Sequence, residues 1–524
     1  MVAASKLPID TTATDMELAN SMFGDGITIV DASYSGDANS SGIYTDGDTF
    51  SPDSTPSDTG VILSTGNASD YTNASGEANQ SASTSTNTAG VDGDSDLNAI
   101  AGLSTYDAAI FEAKFTPDGD TLTMQIVFSS EEYLEYVNAG FNDAVGVWVN
   151  GVQAKLTIGS GEISIDDIND VSNQNLFLDN AGDQYNTEMD GLTVTLTLKA
   201  PVNSGEVNSI KIGFADAGDA SYDSNLLIAG NSIQTVTLVI DDAASVAANS
   251  STEIDVLDND ISEPGVALKV THINGVAVSA GDSVTLPTGE VITLNADGSL
   301  TAVADGDVGS NVFSYSVEDG VGNTDTGFVT LETTVPCFVA GALVQTTNGE
   351  FLIEELEAGD MIETMNGPQP LRWVGSRFTH RTGGHAPVKI AAGTFGDHRA
   401  VMLSQQHRIL LSGPHAELLF DSNAVLVRAK DLVNDKTVRL DTCGQPVKYF
   451  HLLFDAHQVI LADGLWSESF HPGEVVMSSM DTDTCTELLD LFPQLDPTKG
   501  CGYGSDCFPS LKGYEAQVLM NALV

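Results

Sequence analysis

The chain has 524 residues, room for roughly two to four domains, and 41% of them are hydrophobic, so a sizeable core can be buried. Its 74 acidic against 19 basic residues leave a formal charge of −55, which excludes nucleic acid and anionic membranes as partners and suits divalent cations or a salt-rich medium. No apolar run reaches the roughly 18 residues of a membrane span, and the segment from Met1 to Thr12 has neither the apolar stretch nor the cleavage site of a secretory signal.

The charge is unevenly spread. Residues 1–336 hold 51 acidic residues against 6 lysines and no arginine, a net of −45. Residues 337–524 hold 23 acidic against 13 basic, a net of −10. All five cysteines lie in this second part, beginning with Cys337, and only His272 of the nine histidines precedes it. Two chemically different polypeptides meet at Cys337.

Residues 1–236 read as all-β. A short helix is expected at Asp15–Met22, with Asp15 as a candidate cap. A Ser-, Asn- and Thr-rich stretch over 64–98 reads as a long polar loop. β-branched or alternating runs at 121–129, 145–149 and 192–198 read as strands, set apart by Gly, Asp, Asn and Ser clusters. The phrases from Phe128 to Val137, from Phe141 to Gly146 and from Phe214 to Asn225 resemble the bacterial choice-of-anchor L domain. That resemblance implies a β-rich extracellular module, and hence a secreted or surface protein exported without an N-terminal signal.

Residues 237–334 read as a second β module, from the lead-in Val236–Asp242 through Ile254–Asp260 and Asn295–Leu300 to Phe313–Asn323. They are similar to the cadherin-like or Ig-like repeats of bacterial adhesins, sandwiches of about 90–100 residues. Asp241, Asp242, Asp258, Asn259, Asp260 and Asp297 are candidate calcium ligands, because calcium takes clustered hard oxygens. Glu131, Glu132, Asp143, Asp216, Asp219 and Asp223 are a second such set in the first module. The alternative for both sets is a solvated acidic surface.

Cys337 opens a third module, taken as 335–473, followed by a tail over 474–524. Its phrases run in order: Cys337–Val344, a turn at Leu356–Asp360, Leu403–Ile409, His451–Gly464 and Ser467–Gly473. Together they resemble the hedgehog/intein (Hint) family, in its bacterial hedgehog-like branch. The fold class implied is all-β throughout, two sandwich-like modules followed by a Hint fold.

The chemistry can be argued from the residues. A cysteine at the head of a domain holds its thiol beside the carbonyl of the preceding residue, so Cys337 Sγ can attack Pro336 through a five-membered ring and turn amide into thioester. The thiol needs a base and the departing nitrogen a proton. The resemblance implies that Ser404 grips the scissile amide and that His407 protonates the leaving nitrogen. It also implies that Asp455 activates the thiol, with His457 in support. His451 and His471 are read as structural, and taken singly each of the other residues has a structural alternative as well.

Two departures narrow the outcome. Inteins end in an asparagine that cyclises, and Ala462–Phe470 contains none, so cleavage is expected rather than splicing. Pro336 is a hindered acyl donor, which slows attack. The cleavage needs no cofactor, and its substrate is the chain's own upstream peptide. The rival reading is a non-enzymatic, calcium-binding surface adhesin or matrix protein, with a surface ligand and an inactive Hint fold. Cys485, Cys501 and Cys507 in the tail are candidates for pairing or for metal, although Cys501-x5-Cys507 is not a recognised zinc spacing.

Overall fold

The computed structural model describes residues 2–159, 161–247, 251–262, 266–304, 309–334, 337–381, 386–420, 422–434, 436–470, 508–511, 515–516 and 518–520. The chain divides into two compact units. One comprises Met1–Ala243, Glu253–Thr301 and Asn311–Thr330; the other comprises Ala244–Thr252, Ala302–Ser310 and Leu331–Val524. The described residues are all-β apart from a few short helices.

In the first module an eight-stranded and a five-stranded antiparallel sheet face each other. The strand Thr121–Ser130 lies inside the larger sheet, with Ser224–Ala229 on one flank and Gly191–Thr193 and Leu196–Pro201 on the other. Because both faces of this strand are covered, nine of its ten residues are buried, and it reads as a near-continuous run instead of an alternation. Phe111, Phe115, Phe128 and Phe214 fill the space between the sheets, with the Phe128 and Phe214 rings edge to face at 6.1 Å.

The helix Asp15–Met22 forms as expected, but its cap is Thr14. The Thr14 hydroxyl accepts from the Glu17 amide while the Glu17 carboxylate accepts from the Thr14 amide, a reciprocal capping box. The polar stretch after Ser64 is mostly irregular, with a helix at Ser95–Ala101 that the composition concealed. It is held by carboxylates. The amides of Asn79, Gln80, Thr86 and Thr88 donate to Asp183, Glu188, Asp223 and Asp107 respectively, at 2.6–3.2 Å.

The second module is a sandwich of a five-stranded and a four-stranded sheet. Phe313, Tyr315, Phe328, Ile292 and Leu300 are buried in it. The third module is built from a six-stranded and an eight-stranded sheet, around Phe338, Val344, Leu403, Ile409, Val427, Leu452 and Ile460. Its Leu356–Asp360 turn is tight: Gly359 sits at φ +101°, a conformation glycine adopts without strain, and the Asp360 carboxylate accepts from the Glu357 amide. No helix among the described residues is long and apolar enough to cross a membrane.

Candidate active site around Cys337

Cys337 precedes the two-residue strand Phe338–Val339, which lies inside the six-stranded sheet between Pro446–Leu453 and Val401–Leu403. Register does the placing. Phe338 pairs with Phe450 and Val339 with Tyr449, so one step further Cys337 stands opposite His451. On the other side Phe338 pairs with Leu403, and Cys337 therefore meets Ser404.

Cys337 is 2% exposed. Its Sγ is 3.6 Å from His451 Nε2. Its amide N–H, on the nitrogen that would depart on cleavage, donates to Ser404 Oγ at 3.0 Å, and its carbonyl accepts from the Ser404 amide at 3.0 Å. Burial pushes the thiol up to about 12, against the opposing pull of the Arg377 charge and the Ser404 hydrogen bond. Neither Cys337 nor Cys443 is in a disulfide. Pro336, the acyl half of the proposed bond, lies outside the described residues.

The turn from Ser404 to His407 is closed by the His407 amide donating to the Ser404 carbonyl at 3.1 Å. The His407 ring is fully buried, edge-on to Phe338 at 4.4 Å. Burial lowers it to about 4, opposed by the Glu468 carboxylate and the Cys337 peptide group. His407 is therefore neutral at pH 7.

Next to it lies a charge that the sequence reading passed over. Glu468 is 0% exposed, yet burial is overcome by the Arg408 charge and by hydrogen bonds from His457 and Arg408, which hold it down at about 2. Arg408 donates from its amide and from Nε, each at 2.7 Å, and His457 Nε2 is 3.3 Å from the same carboxylate. His457 is thus in the cluster, but as the partner of Glu468.

Asp455 requires a correction. It was expected to activate the thiol, but it lies two residues beyond the strand Pro446–Leu453, where its exposed carboxylate is clamped by Arg372. The two contacts are Nε to Oδ1 at 2.9 Å and Nη2 to Oδ2 at 2.6 Å. The group against the thiol is His451, expected to be structural. Its one signal in the sequence was a strand reaching Leu453, and only the pairing register converts that into contact with Cys337. His471 and the cysteines at 485, 501 and 507 lie outside the described residues.

The candidate calcium ligands divide. Tyr315 Oη donates to Asp242 at 2.9 Å and reaches Asp260 at 3.4 Å, and Asn259 donates to Asp242 at 3.2 Å. Asp241 is instead paired with Lys199 at 2.7 Å. Asp297 accepts from Ser299 within its own turn, and the Asp258 amide reaches the Asp255 carbonyl. In the first module Glu131, Glu132, Asp143, Asp216 and Asp223 are buried, whereas Asp219 is exposed. Among the described residues no three acidic, histidine or cysteine side chains are already arranged to hold a metal ion.

Comparison with known proteins follows the same three divisions. Residues 336–474 match the Hint domain family, residues 7–234 the choice-of-anchor L domain and residues 231–332 a bacterial Ig domain. Among solved structures, the gp41-1 intein is 10% identical over 26% of this chain and 98% of its own, with a TM-score of 0.18. The adhesin domain of Epf from Streptococcus pyogenes is 10% identical over 63% of this chain and 98% of its own, with a TM-score of 0.12. Scores this low carry no functional argument. No curated protein matches the chain.

Proposed function

We propose that this surface or extracellular protein, which carries a Hint domain at residues 336–474, cuts its own chain at Pro336–Cys337 by way of a thioester. One observation carries the reading: Cys337 is engaged at both reacting atoms, its thiol by His451 and its departing nitrogen by Ser404.

A thiol raised to about 12 holds almost no thiolate at neutral pH, so attack must be coupled to proton removal. His451 Nε2 takes the thiol proton as Sγ bonds to the carbonyl carbon of residue 336. The carbon–nitrogen bond then breaks, and the Cys337 nitrogen leaves as an amine with its added proton delivered by His407. A histidine at about 4 is a strong acid once protonated but is scarcely protonated at neutral pH, which favours a slow, controlled step. Water or another nucleophile then takes the acyl group from sulfur.

The test is intact mass of the purified chain with and without added thiol. Fragments 1–336 and 337–524 are expected; Cys337→Ala abolishes them, and His451→Ala slows them by about 10²–10⁴-fold. A chain that stays whole under thiol, unchanged in Cys337→Ala, sinks the reading. The deep burial of the thiol favours the rival, a structural Hint module on an adhesin, and that is the result which would select it. Calcium at the second module's Asp242, Asn259 and Asp260 is a further proposal, tested by a melting temperature that rises with calcium and returns with chelator.

A further inference from the structure

The strand Trp373–His380 is the edge of the six-stranded sheet that holds Cys337, and it lies beside Pro446–Leu453. Along it Trp373 and Gly375 are buried and Arg377 is half-buried, whereas Ser376, Phe378 and His380 are exposed. Alternation therefore turns Arg377 inward. Arg377 pairs with Tyr449 and Gly375 with His451, while Tyr449 pairs with Val339 on its other side. Gly375, His451 and Cys337 thus make one rung of the sheet. Arg377, Tyr449 and Val339 make the next rung on the same face.

The neighbours of His451 on this face are rings. A Cβ on Gly375 would meet Cη2 of Trp373 at 1.9 Å, so the missing side chain makes room for the indole. The Trp373 and Phe470 ring centroids are 6.3 Å apart, and those of Phe470 and His451 are 5.0 Å apart. The titratable groups that face the thiol are His451, Tyr449 and His407. Burial holds Tyr449 well above its ordinary value and His407 below its own, so neither is charged at pH 7. Lys448 pairs with Phe378 on the opposite face, over the Phe378 and Phe450 rings, and Arg381 is paired with Asp441 at 2.6 Å. The charge that pulls the thiol down against its burial is Arg377.

We propose that Arg377 is a positioning residue for cleavage at Pro336–Cys337, its guanidinium supplying the positive charge against which Cys337 Sγ attacks. A guanidinium suits this role because it stays protonated at every working pH. As Sγ bonds to the carbonyl carbon of residue 336, negative charge passes from sulfur to the carbonyl oxygen. With water excluded, a cation on the same face stabilises both. No bond to Arg377 forms or breaks: the thiol proton still goes to His451, and the departing nitrogen still takes its proton from His407. This role presupposes the thioester route, and it lets so deeply buried a thiol attack.

The test follows cleavage of the full-length chain by intact mass across about pH 5–9. Arg377→Gln is expected to slow cleavage roughly tenfold at neutral pH and to move its pH profile up by about one unit. Arg377→His is expected to match the unsubstituted chain near about pH 5, where imidazole is charged, and to fall to the glutamine rate by about pH 8. A ratio of histidine variant to unsubstituted chain that stays constant across pH overturns the role of the charge, and so does an unshifted glutamine profile. If the glutamine variant fails to fold, the histidine ratio decides alone. A chain that never cleaves sinks the thioester route instead, and alkylation then reads Arg377 by itself. Cys337 in the whole chain is treated with iodoacetamide and followed by peptide mass, and its half-reaction pH is expected to rise by about one unit once the charge is gone. An unmoved half-reaction pH overturns the role of Arg377 whether or not the chain cleaves.

Discussion

Two regions bury carboxylates in opposite ways. In the first module Glu131, Glu132, Asp143, Asp216 and Asp223 are buried, in a stretch of chain with few basic groups to offer. Burial pushes Glu131 up to about 9, Glu132 to about 10, Asp143 to about 7 and Asp223 to about 6, and it raises Asp216 as well. In the third module Glu468 is as deeply buried, yet Arg408 and His457 hold it ionised. The same residue type is neutralised by a proton in one place and by a guanidinium in the other. Arginine is what the first 336 residues lack.

The largest expected effect comes from removing that guanidinium. Arg408→Met leaves a charge inside the third module, and the loss should be about 3–5 kcal/mol in a denaturant melt. A loss below about 1 kcal/mol would mean that Glu468 gains a proton as readily as the acids of the first module do.

The pH dependence should separate the regions by sign. A carboxyl whose folded value is raised contributes stability that is complete below its unfolded value and is lost as pH rises through its folded value. For Asp143 the window runs from 3.8 to about 7. Glu468 is the reverse: its contribution is present above 4.5 and is lost as pH falls towards about 2. Calorimetry across pH 3–9 should therefore show one transition falling as the other rises. In Asp143→Asn the amide oxygen can still accept from Ala217, so the gain in stability should be seen at pH 8 and be absent at pH 4. Transitions that move together would break the comparison.

The smallest effect is expected at the surface. Arg372 and Asp455 are 45% and 57% exposed, so Asp455→Asn should cost at most about 1 kcal/mol and leave cleavage of the chain unchanged. A cleavage rate that fell with this variant would return Asp455 to the role first expected of it.

Much of this was legible in the sequence, and the remainder follows a pattern. The composition break announced Cys337, and Ser404 and His407 are close enough along the chain to be read as a pair. His451 was not, because its contact arises from the pairing of Phe338 with Phe450, and register is a tertiary property. Asp455 was placed at the thiol by the resemblance alone, whereas the strand ends at Leu453 and the side chain lies exposed two residues beyond it. Glu468 looked like an ordinary polar residue between two serines; its burial depends on Arg408, 60 residues away. The acids at 131, 132, 143, 216 and 223 stood out as a set, but not as buried, since composition counts charges without saying which face the core.

The central claim is that Cys337 Sγ takes the acyl group of residue 336, and trapping that acyl group tests it most directly. The purified chain is incubated with a small thiol that exchanges with thioesters, and the upstream fragment is weighed. The account predicts a fragment ending at Pro336 with the thiol attached through its carboxyl group, and none from Cys337→Ala. An intact chain, or a fragment with a free carboxylate that also forms from Cys337→Ala, would contradict it.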